Sequence, residues 1–277
     1  MICSCRLLLK LSANVTSMRI VTWNVNSLKA RLGRVESWIQ AVKPDVLCIQ
    51  ETKMTEEAFP HEAFSSLGYE SVHHGEGRWN GVAIISKVGM EDVRHGFADG
   101  RETPDPDARI IWATCGDVRV ASCYVPNGRE VGHDHYHYKL DWLNRLREDL
   151  VANIDFSKDK VAVVGDFNVA PDDRDVWDPK AFAGMTHVTP EERKAISGLV
   201  DIGLVDVFRE KFDQSGLFSW WDYRGGSFYK KQGMRIDLVL ASSVLAKSLE
   251  FTVVDRNERK GEKPSDHAPV IADFEMI

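Results

Sequence analysis

Short apolar runs alternate along the chain with longer stretches in which apolar residues recur every three or four positions. The short runs predict β-strands at 20–23, 46–50, 81–86, 110–114, 118–125, 160–164, 236–240, 251–254 and 270–274. The longer stretches predict helices at 32–42, 138–154 and 190–202, the last begun by Thr189 and Pro190. We expect 81–86, 110–114 and 118–125 to form a meander. The order of elements predicts a mixed α/β sandwich rather than a doubly wound parallel sheet.

The domain organisation follows from the spacing of these elements. Residues 18–277 contain no linker rich in Gly, Pro or Ser, so we expect a single domain. Asn-containing loops after the strands that end near Asn24 and Asp166 hint at two similar halves. Residues 1–17 are expected to be a disordered or non-native extension, with Met18 as the natural start. Their apolar run is too short to span a membrane and lacks the cleavage site of a signal peptide.

Composition narrows the possible classes of protein. The net charge of -7 argues against a passive nucleic-acid coat, although it is compatible with a nuclease whose acidic groups bind metal. The five cysteines give no disulfide framework and favour a reducing, cytoplasmic setting. Cys48 and Cys123 lie in apolar runs and are expected to be buried. Cys3 and Cys5 lack a second ligand pair, so a zinc site is not expected there.

Polar residues at the ends of apolar strands carry the strongest chemical signal. They are Asn24, Glu51, Tyr124, Asp166, Asn168, Asp237, Asp266 and His267. A charged group at a buried strand end is costly unless it is paired or bound to a cation, so a shared cavity explains the set. Converging carboxylates can hold Mg²⁺, and a nearby imidazole can orient or deprotonate water. The pattern therefore predicts metal-assisted hydrolysis of a phosphate ester.

With these residues in view, the chain resembles the exonuclease III group of AP endonucleases within the endonuclease/exonuclease/phosphatase superfamily. The resemblance spans Met18 to about Phe274. It rests on the blocks TWNVNSL (22–28), IQETK (49–53), WNGVAI (79–84), YVPNG (124–128), GDFNVAP (165–171), SWWDYR (219–224), RIDL (235–238) and SDH (265–267). It implies a four-layer α/β sandwich, in which two mixed β-sheets pack face to face and are flanked by helices.

The resemblance also implies roles for individual residues. The residues that would bind metal are Asn24, Glu51, Asp166, Asn168, Asp266 and His267. Asp166 would orient or deprotonate the attacking water, and Asn168 would steady that water and the phosphate. His267 would contact the scissile phosphate while Asp237 holds its ring, and Tyr124 would contact the phosphate or the leaving group. Mg²⁺ is the expected cofactor, with Mn²⁺ able to replace it.

The implied substrate is double-stranded DNA with abasic sites or damaged 3′ ends. Trp220, Met234 and Ile236 would line an apolar pocket for an extruded abasic sugar, which such a pocket selects by shape. Asn127, Arg129 and Lys53 are further candidate DNA contacts, as are Lys139 and the Lys230–Lys231 loop. The expected activity is incision 5′ to abasic sites together with 3′–5′ exonuclease and 3′-phosphatase or 3′-phosphodiesterase activity, by a monomer that does not bind membranes.

Two other functions remain open from the sequence. A phosphatase acting on a lipid or inositol headgroup would use the same ligands. A catalytically inactive DNA-damage binding module would require the loss of a ligand, and every expected ligand is present. The sequence does not decide whether Asp166 or His267 is the general base, or whether one or two metal ions act.

Overall fold

The structure, a computed structural model, describes residues 16–99 and 107–276. Within these ranges the strands are β1 (Thr16–Asn24), β2 (Val46–Gln50), β3 (Glu70–His74), β4 (Val82–Ser86), β5 (Glu91–His95), β6 (Ile110–Cys115), β7 (Val118–Tyr124), β8 (Val161–Asp166), β9 (Leu204–Asp206), β10 (Asp237–Ser242), β11 (Leu249–Val254) and β12 (Val270–Met276). The helices are α1 (Leu28–Val42), α2 (His61–Ser65), α3 (Asp134–Asn153), α4 (Pro190–Asp201), α5 (Val207–Lys211) and α6 (Ser243–Ala246).

The strands form two six-stranded mixed sheets. The first has the order β11-β12-β1-β2-β4-β3 and the second the order β5-β6-β7-β8-β10-β9. Each contains one parallel pair, β1 with β2 and β7 with β8. The fold class predicted from the sequence is thereby confirmed.

Four layers bury three apolar interfaces. Between the two sheets lie side chains such as Ile20, Cys48 and Ile84 of the first and Val120 and Val164 of the second. The outer face of the first sheet is covered by α1, and that of the second by α3 and α4. Both faces of the central strands are therefore buried, which explains their continuous apolar runs. In the ranges that the structure describes, no helix is both long and apolar enough to span a bilayer.

The two sheets repeat one plan. Five neighbouring strands of the first sheet, β12-β1-β2-β4-β3, correspond to five of the second, β6-β7-β8-β10-β9. Along each set the strands pair first antiparallel, then parallel, then antiparallel twice. In both halves a helix, α1 or α3, connects the two parallel strands. The expectation of two similar halves is confirmed, but the pairing of loops was wrong. The strand ending at Asn24 corresponds to β7, which ends at Tyr124, and not to β8.

Several element boundaries differ from the sequence prediction. Strand β1 begins at Thr16, two residues before the expected start of the domain, because Thr16 and Ser17 pair with Met276 and Glu275 of β12. Helix α1 begins at Leu28 and helix α3 at Asp134, each four residues earlier than predicted. The first turn of α3 (DHYH) shows little apolar periodicity, whereas the start of α1 was missed although Leu28 is buried and lies four residues before Leu32.

The predicted meander was wrong in one strand. β6 and β7 form the expected antiparallel pair, but β4 belongs to the other sheet, between β2 and β3. Strands β3, β5 and β9 were not predicted. All three are edge strands, and β3 (ESVHH) and β5 (EDVRH) lack an apolar run because much of each strand faces solvent. Cys48 and Cys123 are buried as predicted, and Cys3 and Cys5 lie outside the described residues.

Candidate active site

The two parallel pairs end side by side at one end of the sandwich. Asn24 faces Gln50 in the register of the first sheet, and Tyr124 faces Asp166 in the second. Strand β10 begins at Asp237, opposite Asp166. Since the sheets pack face to face, these strand ends bring the predicted polar residues into one region.

Unusual backbone conformations occur directly after these strands. Glu51 and Asn168 both have positive φ, 52° and 50°, although neither is glycine. Such residues are uncommon and concentrate at functional sites, where the surrounding structure holds them. Gly165 has φ 153°, and a Cβ there would lie 1.9 Å from the carbonyl oxygen of Cys123. A glycine is thus required for the close approach of β7 to β8 next to Asp166.

Asp166 lies at the centre of a buried hydrogen-bond network. Its Oδ2 accepts from Asn24 Nδ2 at 2.9 Å and from Asn168 Nδ2 at 3.3 Å, and its Oδ1 accepts from the Asn168 backbone N–H at 2.9 Å. Burial raises the pKa of Asp166 to about 7, with the charges of Asp237 and Glu51 adding to the rise and His267 opposing it. Its proton affinity therefore suits exchange near neutral pH.

His267 is a charged imidazole held by two carboxylates. Its Nδ1 lies 2.9 Å from Asp237 Oδ2, and its Nε2 lies 3.7 Å from Asp166 Oδ2. Burial favours the neutral ring, but the charges of Asp237 and Asp166 outweigh it and raise the pKa of His267 to about 10. At pH 7 the ring is an imidazolium, which can donate a hydrogen bond to an anion but cannot accept a proton.

Glu51, Asp166 and His267 offer ligand atoms that all lie within 4.8 Å of one another. Glu51 Oε1 accepts from Asn24 Nδ2 at 2.8 Å, so the Asn24 amide bridges both carboxylates. Glu51 Oε2 lies 2.8 Å from the Lys53 ammonium, which also donates to Asn26 Oδ1 at 2.5 Å. The Glu51 carboxylate already faces positive charge, and the Asp166 carboxylate lies within 4.8 Å of it. The two carboxylates fit a divalent cation such as Mg²⁺. The His267 imidazolium, protonated on both ring nitrogens, has no lone pair to offer such an ion.

Asp266 lies beside this trio. Its Oδ1 accepts from Asn26 Nδ2 at 2.9 Å and its Oδ2 from the Trp220 indole N–H at 3.1 Å. Burial alone would raise the pKa of Asp266, but the charge of His267 and these two hydrogen bonds lower it. Asp266 is therefore an ionised carboxylate whose oxygens keep free lone pairs.

A cavity of about 170 Å³ opens above these groups. Its described lining is Glu51, Tyr124, Asn127, Asp166, Asn168, His187, Trp220, Met234, Ile236, Asp266 and His267. The predicted pocket residues Trp220, Met234 and Ile236 thus lie in the same cavity as the predicted catalytic residues. Asn24 and Asp237 are buried around it, Lys53 reaches Glu51 from one side, and Arg129 is an exposed residue outside the described lining.

Tyr124 brings a phenol to the cavity. The Arg109 guanidinium lies 4.9 Å from the centre of its ring. Burial, and then the charges of Glu51 and Asp166, raise the pKa of Tyr124 well above its ordinary value. The phenol is therefore protonated and able to donate a hydrogen bond.

Two groups contact Asn168 from behind, of which His187 was not predicted and Lys139 was predicted in a different role. Its carbonyl oxygen accepts from the Lys139 ammonium at 2.6 Å and lies 2.5 Å from His187 Nδ1. Lys139 is fully buried and lies 2.5 Å from Glu192 Oε1, so the expectation that Lys139 contacts phosphate is wrong. Burial, with a smaller contribution from Lys139, lowers the pKa of His187 to about 4. The ring is neutral at pH 7, with Nδ1 donating to the carbonyl and Nε2 left as an acceptor.

Asn26 was likewise missed as an organiser of the site, since it contacts both Lys53 and Asp266. It stands in the TWNVNSL block, so its place two residues after Asn24 was an available signal. No such signal marks His187, which precedes the cap of α4 in an irregular segment.

Solved structures closely resemble this fold. An AP endonuclease from Archaeoglobus fulgidus has a TM-score of 0.90 and 36% identity, covering 94% of this chain and 100% of that chain. The 3′ phosphatase NExo from Neisseria, bound to a product DNA hairpin, has a TM-score of 0.90 and 37% identity with the same coverage. Fold and site together define a hydrolase of the nuclease type.

Sequence comparison identifies the family. The model of the endonuclease/exonuclease/phosphatase family matches residues 21–267. Exodeoxyribonuclease III of Haemophilus influenzae is 35% identical over 271 residues, covering 93% of this chain and 100% of that protein. The chain therefore belongs to the endonuclease/exonuclease/phosphatase family.

Proposed function

We propose that this protein is a metal-dependent DNA-repair phosphodiesterase. It incises duplex DNA 5′ to abasic sites and removes nucleotides, phosphates or phosphodiesters from damaged 3′ ends. The observation that carries the proposal is the Glu51–Asp166–His267 cluster, within 4.8 Å, in a cavity also lined by Trp220, Met234 and Ile236. The names of the relatives, an exodeoxyribonuclease III and a DNA-bound 3′ phosphatase, favour DNA over a lipid or inositol substrate. The protein acts as a monomer on DNA in the cytoplasm.

Glu51 and Asp266 would hold Mg²⁺, with Asp166, the amides of Asn24 and Asn168 and the His267 ring beside them. When bound, the ion neutralises charge on the phosphate and on the departing oxygen, and Mn²⁺ can replace it. The Asn24 amide, which donates to both Glu51 and Asp166, fixes the spacing of the two carboxylates.

Asp166 is the general base in this proposal. Its pKa of about 7 leaves a large ionised fraction at neutral pH, whereas His267, with a pKa of about 10, already carries its proton. Asp166 thus takes the proton of the attacking water, and Asn168 steadies that water and the phosphate. The imidazolium, oriented by Asp237, donates to a phosphate oxygen, and the Tyr124 phenol donates to the phosphate or the leaving oxygen.

The lining of the cavity supports selection of a sugar without a base, because a small apolar wall recognises an extruded abasic sugar by shape. Trp220 and Ile236 give the sugar an apolar wall.

A second candidate is restriction to 3′ ends, without incision at internal abasic sites. The observation that favours it is His187, whose ring forms part of the lining of the cavity. A 3′-phosphate needs only the phosphate subsite, whereas an internal abasic nucleotide must also seat its sugar.

The test compares an internal abasic site with a 3′-phosphate at a nick, in duplexes of one sequence, with and without Mg²⁺. Cleavage of both supports the full proposal, and cleavage of the 3′-phosphate alone supports the second candidate. Cleavage of neither, with hydrolysis of a soluble phosphoinositide, would overturn both.

Two substitutions of Trp220 test whether it forms the wall of a sugar pocket. Trp220→Ala removes both the apolar wall and the N–H that Asp266 accepts, while Trp220→Phe removes only the N–H. We expect Trp220→Ala to depress abasic incision more than 3′-phosphate removal, and Trp220→Phe to preserve the ratio. Since a buried Trp→Ala change costs ~3–5 kcal/mol, melting temperatures are measured alongside. Equal loss on both substrates in a folded Trp220→Ala protein argues against the pocket.

A further inference from the structure

Exposed aromatic side chains are concentrated at the catalytic end of the molecule. Of the described residues, the exposed aromatic ones are Trp79, Trp177, Tyr223, Tyr229 and Phe251. The first four lie in loops at the end of the sandwich where the catalytic strands meet, and Phe251 lies in edge strand β11. Tyr229 is the most exposed of them, at 83%.

Tyr229 lies on a loop that connects two walls of the catalytic cavity. The loop runs from Trp220 to Met234, and these residues pair with each other at its base. Tyr229 is five residues from Met234, so it lies within about 17 Å of that cavity wall even if the chain were fully extended. This distance corresponds to about five nucleotide steps along a DNA strand at ~3.4 Å each.

The loop is held in place mainly by Phe228 and by backbone hydrogen bonds. Phe228 packs edge-on against Trp221 with ring centres 5.1 Å apart, and the guanidinium of Arg259 lies 5.4 Å from the Phe228 ring. Backbone bonds from Gln232 to Ser227 and from Lys231 to Phe228 close the turn. Phe228 therefore anchors the loop, and the Tyr229 ring packs edge-on against Phe228 with ring centres 5.6 Å apart while most of its surface stays exposed.

Two exposed lysines, Lys230 and Lys231, follow Tyr229 directly. An aromatic ring beside cations is the combination that binds unpaired nucleotides, since the ring stacks on a base while the ammonium groups contact phosphate. In a paired duplex each base face is covered by its neighbours. A protruding ring can therefore stack on a base only where stacking is interrupted, and a frayed or mismatched end exposes more base surface than a paired one.

Building on the proposed function, we infer that Tyr229 stacks on an unpaired base within about five nucleotides of the scissile phosphate and directs the enzyme to frayed or mismatched 3′ ends. Lys230 and Lys231 bind the backbone phosphates of the same strand whether or not its bases are paired. Tyr229 thus distinguishes unpaired from paired 3′ ends and is separate from the residues proposed to hydrolyse the phosphate ester.

The experiment uses the full chain and two 3′-phosphate substrates. One carries the phosphate at a nick in fully paired duplex, and the other has its last two base pairs mismatched. We expect Tyr229→Ala to raise KM for the mismatched substrate about tenfold while leaving kcat and the paired substrate unchanged. Tyr229→Phe keeps the ring and should behave as the unchanged protein. Phe251→Ala, which removes an exposed aromatic ring elsewhere, is the matched control.

In a double Lys230→Gln/Lys231→Gln variant, KM should rise equally for both substrates. The slope of log KM against log salt concentration should fall by about two. The inference is overturned if Tyr229→Ala affects both substrates alike, or if Tyr229→Phe is as impaired as Tyr229→Ala. Failure of the proposed function is distinguishable, because the unchanged protein would then release phosphate from neither substrate.

Discussion

The two halves of the sandwich share one strand plan but differ in the chemistry at equivalent positions. β1 and β2 end at Asn24 and Gln50, both uncharged, whereas β7 and β8 end at Tyr124 and Asp166. The Gln50 amide links the two sheets, since it accepts from Thr22 Oγ1 of its own sheet at 3.1 Å and donates to Ser122 Oγ of the other sheet at 3.1 Å.

The first half places its charge one residue later, on Glu51, which is partly exposed and faces the Lys53 ammonium. The second half places its charge on the strand itself, where burial keeps the pKa of Asp166 near 7. The repeated scaffold thus supplies equivalent positions, and local solvation decides whether a position suits proton transfer or cation binding. Four predictions follow this difference between the halves.

The largest effect is expected at the pair Asp166 and Gln50. Asp166→Asn keeps the shape but cannot take a proton, so turnover should fall about 10²–10⁴-fold while DNA affinity changes little. Gln50→Met at the equivalent position should leave turnover within a few-fold. It should instead lower the free energy of unfolding by ~1–3 kcal/mol, because Thr22 and Ser122 lose their partner. Single-turnover rates, DNA binding and denaturant unfolding measure these quantities. A loss of turnover in Gln50→Met as large as in Asp166→Asn would contradict the division of roles.

We expect the Glu51 carboxylate, which carries the charge of the first half, to act by binding a metal ion. A chelator should abolish activity, and Mg²⁺ or Mn²⁺ should restore it. Glu51→Gln should raise the Mg²⁺ concentration for half-maximal rate more than about tenfold, with recovery at high metal, because a neutral amide is a weaker ligand. Glu250→Gln, at an exposed site on β11, is the control and should reach half-maximal rate at the same Mg²⁺ concentration as the unchanged protein. Full activity in excess chelator would exclude the metal proposal.

The loops after the catalytic strands are supported differently in the two halves, by a neutral histidine in one and a buried ion pair in the other. His73 Nε2 lies 2.8 Å from Thr52 Oγ1, next to Glu51, whereas Lys139 and Glu192 lie behind Asn168. Burial, and then His61, His74 and His95, lower the pKa of His73 to about 3.

The sign of the pH effect follows from that shift. Below pH ~6.5 the unfolded chain protonates His73 while the folded chain does not, so stability is complete above this pH and is lost on acidification towards pH 3. From pH 7.5 to 5.5, His73→Gln should lose about 1 kcal/mol less unfolding free energy than the unchanged protein. His137→Gln, an exposed site, is the control and should retain the full loss. Identical pH profiles for all three proteins would refute this account of His73.

The smallest effect is expected at the N-terminal end of β1. A chain beginning at Met18 lacks Thr16 and Ser17, which pair with β12, and should lose about 1 kcal/mol of stability through its missing strand hydrogen bonds. A chain beginning at Thr16 should match the full chain in melting temperature and activity. If both truncated chains match it, the first two residues of β1 contribute nothing measurable. If both fall short equally, residues before Thr16 contribute to stability.

Sequence patterns predicted the central strands well because their side chains are buried on both faces, as at Ile20, Val164 and Val239. They failed at the polar edge strands β3 and β5, whose positions depend on pairing partners rather than on their own composition. In the site, the search for polar residues at the ends of apolar strands found Glu51, Asp166 and His267. It could not find His187, because that ring reaches the cavity from a segment without periodicity. Lys139 was misread as a surface cation, since one sequence does not distinguish a buried ammonium from an exposed one.

The sheet order has a consequence for the protein during its synthesis. All six strands of the second sheet lie between residues 91 and 242, a continuous stretch of chain, whereas the first sheet needs β11 and β12 from the C-terminal end. A chain emerging from the ribosome can complete the second sheet while the first still lacks its last two strands. Asp266 and His267 arrive with that final segment. A polypeptide interrupted before that segment lacks Asp266, His267 and two strands of the first sheet, so the candidate site is assembled only after residue 267 has been synthesised.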